Sequence, residues 1–462
     1  MQRLLAIAWL TWKAAFRFRL FLVIAGLLLL AVVGLPVLIK DDGTARGFTQ
    51  ILLTYTLSVI TSLLGLSTLW LACGTLARDI EECQIQIVAT KPIARWQIWL
   101  GKWLGIVSLN AALLALSGAC VYGLLQWRAA RLPAAEQTVL REQVLVARGS
   151  AREASNDQAI EAETGRILQD RLKDHPVTPA DLAEVRKQIR ELVSSDFQLV
   201  PPGYSRQWQI DLGFARNFLR GKPLQLRVKF NAAQKSASGT FLALWQVGEP
   251  GKTAFWRTEE PMSLAPDTFH EFEIPPDLFN PQGVLTVLFV NPNRTALLFP
   301  LADGIEVLYP ESGFALNFVR GLGIIFCWMA LLAALGLMAA SFLTFPVAAF
   351  FSLAVLTMAL SSGTLAETVA SGTVGGGNGE TGVMGHSPLD VVLIPLFKGM
   401  LTVISLVEKF SPIDSLSSGR SITWTELGLA FAQIVLLLGG ILSVIGISLF
   451  NRRELATLHG NQ

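Results

Sequence analysis

The side chains that most often carry chemistry are few in this chain, and they do not gather. His175, His270, His386 and His459 are scattered and form no His-Glu-x-x-His pair, so no zinc hydrolase centre is expected. Cys73, Cys83, Cys120 and Cys327 all lie in or beside apolar blocks without a Cys-x-x-Cys spacing, which argues against a disulfide framework and a structural zinc. No Gly-x-x-x-x-Gly-Lys-Ser/Thr phosphate loop occurs; the run SGTVGGGNGETG at 371–382 lacks the lysine and reads as a flexible loop. The chain is therefore expected to be no enzyme and to carry no cofactor of its own. Any ATP-driven role needs a separate ATPase subunit. A net charge of +2 gives no reason to expect nucleic acid.

Two groups of residues remain. Asp79, Glu81 and Glu82 follow Arg78; after a short apolar stretch (Ile85, Ile87, Val88) broken by Pro92, the cations Lys91, Arg95 and Lys102 lead into the next apolar block. Carboxylates and cations on either side of a short helix describe a lever that transmits a push from a docked partner. The plainer alternative is a basic connector obeying charge asymmetry. The second group is Trp208, Trp245 and Trp256, which could be stacking platforms for a glycan or contacts for an envelope protein; the alternative is the core of a β-fold.

The elements that would position these groups are set by hydrophobicity. Of 462 residues, 52% are hydrophobic and 16% charged, against about a quarter charged in an ordinary soluble domain. A spanning helix needs about 20 mostly apolar residues to cross ~30 Å of hydrocarbon. Stretches near 20–39, 50–77, 103–125, 320–343 and 423–450 meet or approach that length, and 345–362 follows the fourth after a Thr-Phe-Pro turn at 344–346. Six spans put the cations of 3–19, of 78–102 and of Arg452 and Arg453 on one side, which the positive-inside rule assigns to the cytoplasm. Residues 128–315 then lie outside it. Residues 391–407 (VVLIPLFKGMLTVISLV) tempt a seventh span, but a charge such as Lys398 at mid-membrane costs at least ~2.5 kcal/mol, and Pro395 sits beside it. A re-entrant or interfacial outer helix over 388–412 is expected instead. Arg320, close to the start of a span, is expected to snorkel to the outer interface. In residues 1–19, Leu5, Trp9, Trp12 and Phe16 share one helical face, with Arg3, Lys13 and Arg17 opposite. This suits a helix lying in the cytoplasmic interface among membrane lipids, or else simply the start of the first span.

The expected fold is thus an all-α membrane bundle of six helices (20–127 and 312–462) with an extracytoplasmic α+β insert. Residues 128–203 look like a helical hairpin, rich in Ala, Glu, Gln and Arg from Pro133 to Leu168, with a second helix starting at Thr178 and running to about Leu192. From 204 to 311, alternating runs such as PLQLRVKF, GTFLALWQV, HEFEI and GVLTVLFVN argue for an antiparallel β-sandwich.

One segment is more specific. RDIEECQIQIVATKPIARWQIWLGKWLG at 78–105 resembles the loop of ABC exporter permeases of the second type, a family that includes permeases of multicopper-enzyme maturation. The matching positions are Glu81, Glu82, Lys91, Pro92, Arg95, Leu100, Gly101 and Lys102, and the C-terminal FSPIDSLSSGRSITWTEL and LFNRREL are similar as well. The resemblance covers about 1–127 and 312–462. It implies an exporter subunit in a bacterial inner membrane, both termini cytoplasmic. It also implies a dimer with a second permease copy or paralogue, and an ABC ATPase subunit that binds the ATP. Asp79, Glu81, Glu82, Lys91, Pro92, Arg95 and Lys102 would couple to that ATPase. The insert of some 185 residues departs from the simplest members, and leaves open a mechanotransmitting or anchored binding protein that transports nothing.

Overall fold

The computed structural model describes residues 2–17, 20–38, 45–82, 93–131, 145–174, 182–301 apart from 235 and 237, 303–371 and 389–453, with 133, 137 and 140 as single positions. Lys91, Pro92 and Cys83, the proposed N-cap at Thr178, and the glycine-rich loop after 371 lie outside the described residues. The chain forms two compact units, 1–147 with 312–462, and 148–311.

The first unit is helical. In chain order it contains α1 (Gln2–Arg17), α2 (Leu20–Leu38), α3 (Ala45–Glu81) and α4 (Arg95–Ala129). Beyond the insert come α7 (Phe314–Ala340), α8 (Phe345–Leu360), α9 (Ser362–Ser371), α10 (Asp390–Glu408), α11 (Pro412–Ser417) and α12 (Trp424–Arg452). Among the described residues five helical stretches are long and apolar enough to cross a membrane: Thr49–Glu81, Arg95–Ala129, Phe314–Ala340, Asp390–Ser417 and Trp424–Arg452. A sixth is obtained if α8 and the following helix, bent by 67° at their junction, form one broken span. α2 has 19 residues, about 28 Å of helix at 1.5 Å per residue. The helix over 390–408 is continuous through Pro395; none of its apolar side chains is fully buried, and Val391, Val392, Leu396 and Val403 are exposed. α12 contains a π-helical stretch at Phe431–Gly439.

α7 is the hub of this unit, packing on α3, α4, α8, α11 and α12. Its interior face is made of small and branched residues (Ile324, Ile325, Ala333, Ala334, Leu337), all fully buried. Without water, interhelical attraction comes from close packing and a few polar pairs. Here Asn110 Nδ2 on α4 donates to Thr68 Oγ1 on α3 at 2.8 Å, and Trp103 Nε1 donates to the Ala330 carbonyl at 3.0 Å. The α7–α8 turn is short, with Pro346 in the first turn of α8, where a missing N–H is harmless.

The second unit joins two long helices to three antiparallel sheets. The strands are β1 (Val146–Ala151), β2 (Leu199–Val200), β3 (Ser205–Asp211), β4 (Leu224–Val228), β5 (Asn231–Ala232) and β6 (Phe241–Val247). After them come β7 (Trp256–Arg257), β8 (Met262–Leu264), β9 (His270–Ile274), β10 (Val284–Val290), β11 (Leu297–Leu298) and β12 (Ile305–Gly313). The sheet orders are β1-β12-β4-β9, then β3-β10-β6-β7 with β8 also on β6, and β2-β11-β5. Alternation decides which side chains turn inward: Trp208 and Ile210 of β3, Ala243, Trp245 and Val247 of β6, and Leu285, Val287 and Phe289 of β10 share one core with Leu224, Leu226 and Val228 of β4. Aromatic rings hold its centre, with Trp245–Phe289 and Phe289–Phe299 centroids both 4.9 Å apart.

The expected helical hairpin is present in part. α5 (Asp157–Asp174) and α6 (Leu182–Gln198) pair through Ile160, Ile189 and Val193, with Arg186 bonded to Glu161 across them. α6 runs six residues past the expected end at Leu192. Residues 146–151, expected to be helical, form a strand instead, because they complete the sheet edge beside β12.

Candidate functional site at the basic end of the helix bundle

The charged residues at the end of α3 and the start of α4 are the chain's best candidate for function, and the fold assembles most of them. Lys102, one and a half turns beyond Gln97 on α4, turns toward α3. Its Nζ lies 2.6 Å from Asp79 Oδ2 and 2.7 Å from the Thr75 carbonyl. The Lys102 side chain is 10% exposed and that of Asp79 34%, so the pair sits at the edge of the protein with one partner still wetted.

Arg95 closes the opposite side. Its Nη1 lies 3.0 Å from the Phe450 carbonyl and 2.9 Å from each of the Asn451 and Arg453 carbonyls, the orphan acceptors at the C-terminus of α12. A cation suits that position because the helix dipole leaves partial negative charge there. Arg453 repeats the device on α7, its Nη1 reaching the Ala340 and Ser341 carbonyls at 3.4 and 3.3 Å. Glu81 does the complementary thing: its Oε1 accepts from the Phe345 N–H at 2.8 Å, at the positive N-terminus of α8. Arg78 lies over the Phe345 ring at 4.4 Å. Beneath them the fully buried Trp99 donates to Ser341 Oγ at 3.2 Å.

The ends of α3, α4, α7, α8 and α12 are thus tied together by side chains drawn from positions as far as 358 residues apart. Of the residues singled out from the sequence, Asp79, Glu81, Arg95 and Lys102 belong to this knot, while Glu82 is exposed in the turn that ends α3. The sequence marks Arg453 only as a cation flanking a span and does not mark Ser341, because Arg453 binds backbone carbonyls and Ser341 accepts from an indole 242 residues away. It marks Gly101 only as part of a helix entry. A Cβ at Gly101 would stand 2.7 Å from Ile7 Cβ, and one at Gly105 2.7 Å from Thr11 Cβ. Gly101-Lys-Trp-Leu-Gly105 is therefore a small-xxx-small platform on which α1 rests. Among the described residues no three His, Cys, Asp or Glu side chains converge as a metal site would require.

Elsewhere two expectations need correcting. Trp208 and Trp245 are 4% and 0% exposed, packed in the core of the β unit, and Trp256 is half-buried against the Phe272 ring at 6.0 Å. Strand alternation turns the first two inward, so neither is a glycan or partner contact. Arg320 does not snorkel. It is 7% exposed, its Nη1 donates to the Ile422 carbonyl at 2.8 Å, and its guanidinium lies 4.9 Å from the Trp424 ring centroid. Asn317 completes that clamp, accepting from the Ile422 N–H and donating to the Arg420 carbonyl, both at 2.7 Å. The irregular 420–422 segment offers backbone groups that have no helical partner, and burying Arg320 and Asn317 satisfies them. Between α4 and α7 runs an apolar groove of about 530 Å³, lined by Ala115, Gly118, Tyr122, Phe318 and Leu322 among others.

No protein-family model matches the chain, and no curated protein or solved structure does either.

Proposed function

We propose that this protein is the membrane permease subunit of an ATP-driven ABC exporter, working as a dimer with a second permease and with a separate ATPase that docks on the segment 78–102. The observation that carries this reading is the knot of helix ends. Of the positions that resemble the coupling loop of such permeases, Glu81 meets the start of α8, Arg95 the end of α12, and Lys102 pairs with Asp79 on α3, while Arg453 ties the end of α12 to that of α7. A push on the turn at Glu82 would reach four other helices through hydrogen bonds rather than through one hinge. In this topology α2, α3, α4, α7, the bent α8–α9 pair and α12 are the six spans, and α10 lies on the outer side. Both termini are then in the cytoplasm of a bacterial inner membrane. The insert is an extracytoplasmic β-sandwich, formed by the β1-β12-β4-β9 and β3-β10-β6-β7 sheets about their shared core.

The test is to solubilise the protein in mild detergent and identify stoichiometric partners. An ABC ATPase that is lost on Glu82→Lys, with thermal stability unchanged, supports the reading. Glu82 is the variant of choice because it is exposed in the turn that ends α3. Recovery of envelope proteins without an ATPase would replace it.

A second reading, mechanical work on an envelope partner without transport, is favoured by one observation. β1 and β12, through which the insert is entered and left, are neighbours in one sheet, laced by ion pairs whose carboxylates, Glu306 and Glu271, are 0% and 11% exposed. Arg152 reaches Glu306 at 2.8 Å, Arg227 reaches Glu306 at 3.2 Å, and Arg148 reaches Glu271 at 2.8 Å. Transport by a chain lacking 148–311 would argue against it.

A further inference from the structure

α1 divides its surface into three sectors. Ile7, Ala8, Thr11 and Ala15 are buried on the Gly101/Gly105 platform of α4, and Trp12 Nε1 donates to Ser108 Oγ at 2.8 Å. These contacts fix the rotation of the helix about its axis. At 3.6 residues per turn, a second sector of Leu5, Trp9 and Phe16 follows, 66%, 60% and 42% exposed. A third sector carries Arg3 and Lys13, both exposed, with Lys13 Nζ 6.0 Å from the Trp9 ring centroid. Residues 1–40 contain Arg3, Lys13, Arg17, Arg19 and Lys40 and not one Asp or Glu.

We propose that this helix is a docking face for an anionic phospholipid surface. The Leu5/Trp9/Phe16 sector enters the acyl boundary, and Arg3 and Lys13 hold lipid phosphates at its edge. The inference rests on the membrane reading above and adds the lipid class. Charge complementarity selects this occupant: an apolar flank beside one whose charges, Arg3 and Lys13, are both positive fits an interface that is oily below and negative above. Aromatic side chains suit that depth, with an apolar body and a polarisable face for the neighbouring ammonium. Because the protein-facing sector is locked to α4, the other two sectors cannot exchange places, and the helix presents a fixed register to the headgroups.

The experiment uses the full chain. Its affinity for phosphatidylglycerol and for phosphatidylcholine is measured by native mass spectrometry of lipid titrations, and its flotation is followed with vesicles of phosphatidylcholine with and without phosphatidylglycerol. The wild type is expected to prefer phosphatidylglycerol, with the preference weakened by salt. At about 1 kcal/mol per cation, the double variant Arg3→Gln/Lys13→Gln is expected to lose about thirtyfold in phosphatidylglycerol affinity, leaving phosphatidylcholine binding unchanged. The charge-conserving Arg3→Lys/Lys13→Arg variant is expected to keep the preference, and it guards against a folding defect in the first. Flotation with both vesicle types but equal affinity for the two lipids overturns the proposal alone and leaves the face to a protein partner. An undiminished preference in the glutamine variant overturns it equally. Failure to float with either vesicle overturns the membrane reading itself.

Discussion

Replacing Lys102 by methionine isolates the contribution of the knot's central ion pair. The substitution keeps the apolar stem along α4 and removes the ammonium from Asp79 and from the Thr75 carbonyl, 2.6 and 2.7 Å away. Breaking a fully buried pair by removing one partner costs ~3–5 kcal/mol, whereas an exposed pair is worth only ~0–1. With Lys102 10% and Asp79 34% exposed, solvent can reach the carboxylate left behind, so the loss lies between these limits, about 2 kcal/mol. Asp79→Asn keeps an acceptor for the ammonium and is expected to lose about 1 kcal/mol. The two changes touch one interaction, so the double variant is expected to fall short of the sum by about 1 kcal/mol. Reversible unfolding in micelles, followed by steric trapping or titration with a denaturing detergent, gives all four corners of the cycle. Additivity within about 0.3 kcal/mol would refute the reasoning, since it would mean that the two groups do not interact in solution.

Further outcomes follow from the same geometry. Arg95→Lys retains the charge but shortens the reach of the nitrogen that meets three carbonyls, and is expected to cost about 1–2 kcal/mol and to speed hydrogen exchange at the end of α12, read by mass spectrometry. Trp245→Ala empties the centre of the β core and is expected to cost about 3–5 kcal/mol in a thermal or chemical melt, with no change specific to glycan binding on an array. Gly149→Ala places a Cβ 2.5 Å from the Tyr309 ring and should destabilise the insert by about 1–3 kcal/mol. Burial, helped by Glu311, raises the Tyr309 pKa above its ordinary value near 10. The neutral phenol is therefore favoured by folding, and its contribution is present below the unfolded pKa and lost as pH climbs toward the folded one. Ultraviolet titration should show one phenol ionising late, and Tyr309→Phe should flatten the alkaline loss of stability.

Much of the membrane part was legible because long apolar runs have few other uses: the stretches near 50–77, 103–125, 320–343 and 423–450 each overlap a long helix, the third running three residues past its end at Ala340. The helix over 390–408 was harder, since Lys398 and Pro395 count against a span while length and hydropathy count for one. β1 was hidden by its helix-like neighbourhood; Val-Ala-Arg-Gly-Ser-Ala becomes a strand through a partner some 155 residues later, which no local propensity records. The tryptophans carried a usable signal. Trp208 stands between Gln207 and Gln209, and Trp245 between Leu244 and Gln246, so alternation aimed each at one face, though not at which. In the knot, the types of Arg95 and Lys102 were plain from spacing and resemblance. Their partners were not, because Arg95 reads carbonyls 355 to 358 residues away and any residue can supply a carbonyl.

The side-by-side position of β1 and β12 also bears on how such a chain comes to exist. Neighbouring strands lie about 4.8 Å apart, so the insert's two ends are as close as the ends of a tight loop. For the helices on either side, accommodating the 148–311 unit is a short closure rather than a long one, and its loop entropy does not grow with the residues in between. Such a unit can be enlarged, exchanged or grafted into another loop without disturbing the order in which its host's helices pack, as is usual for domains whose termini lie together. The 148–311 unit is built like a cassette.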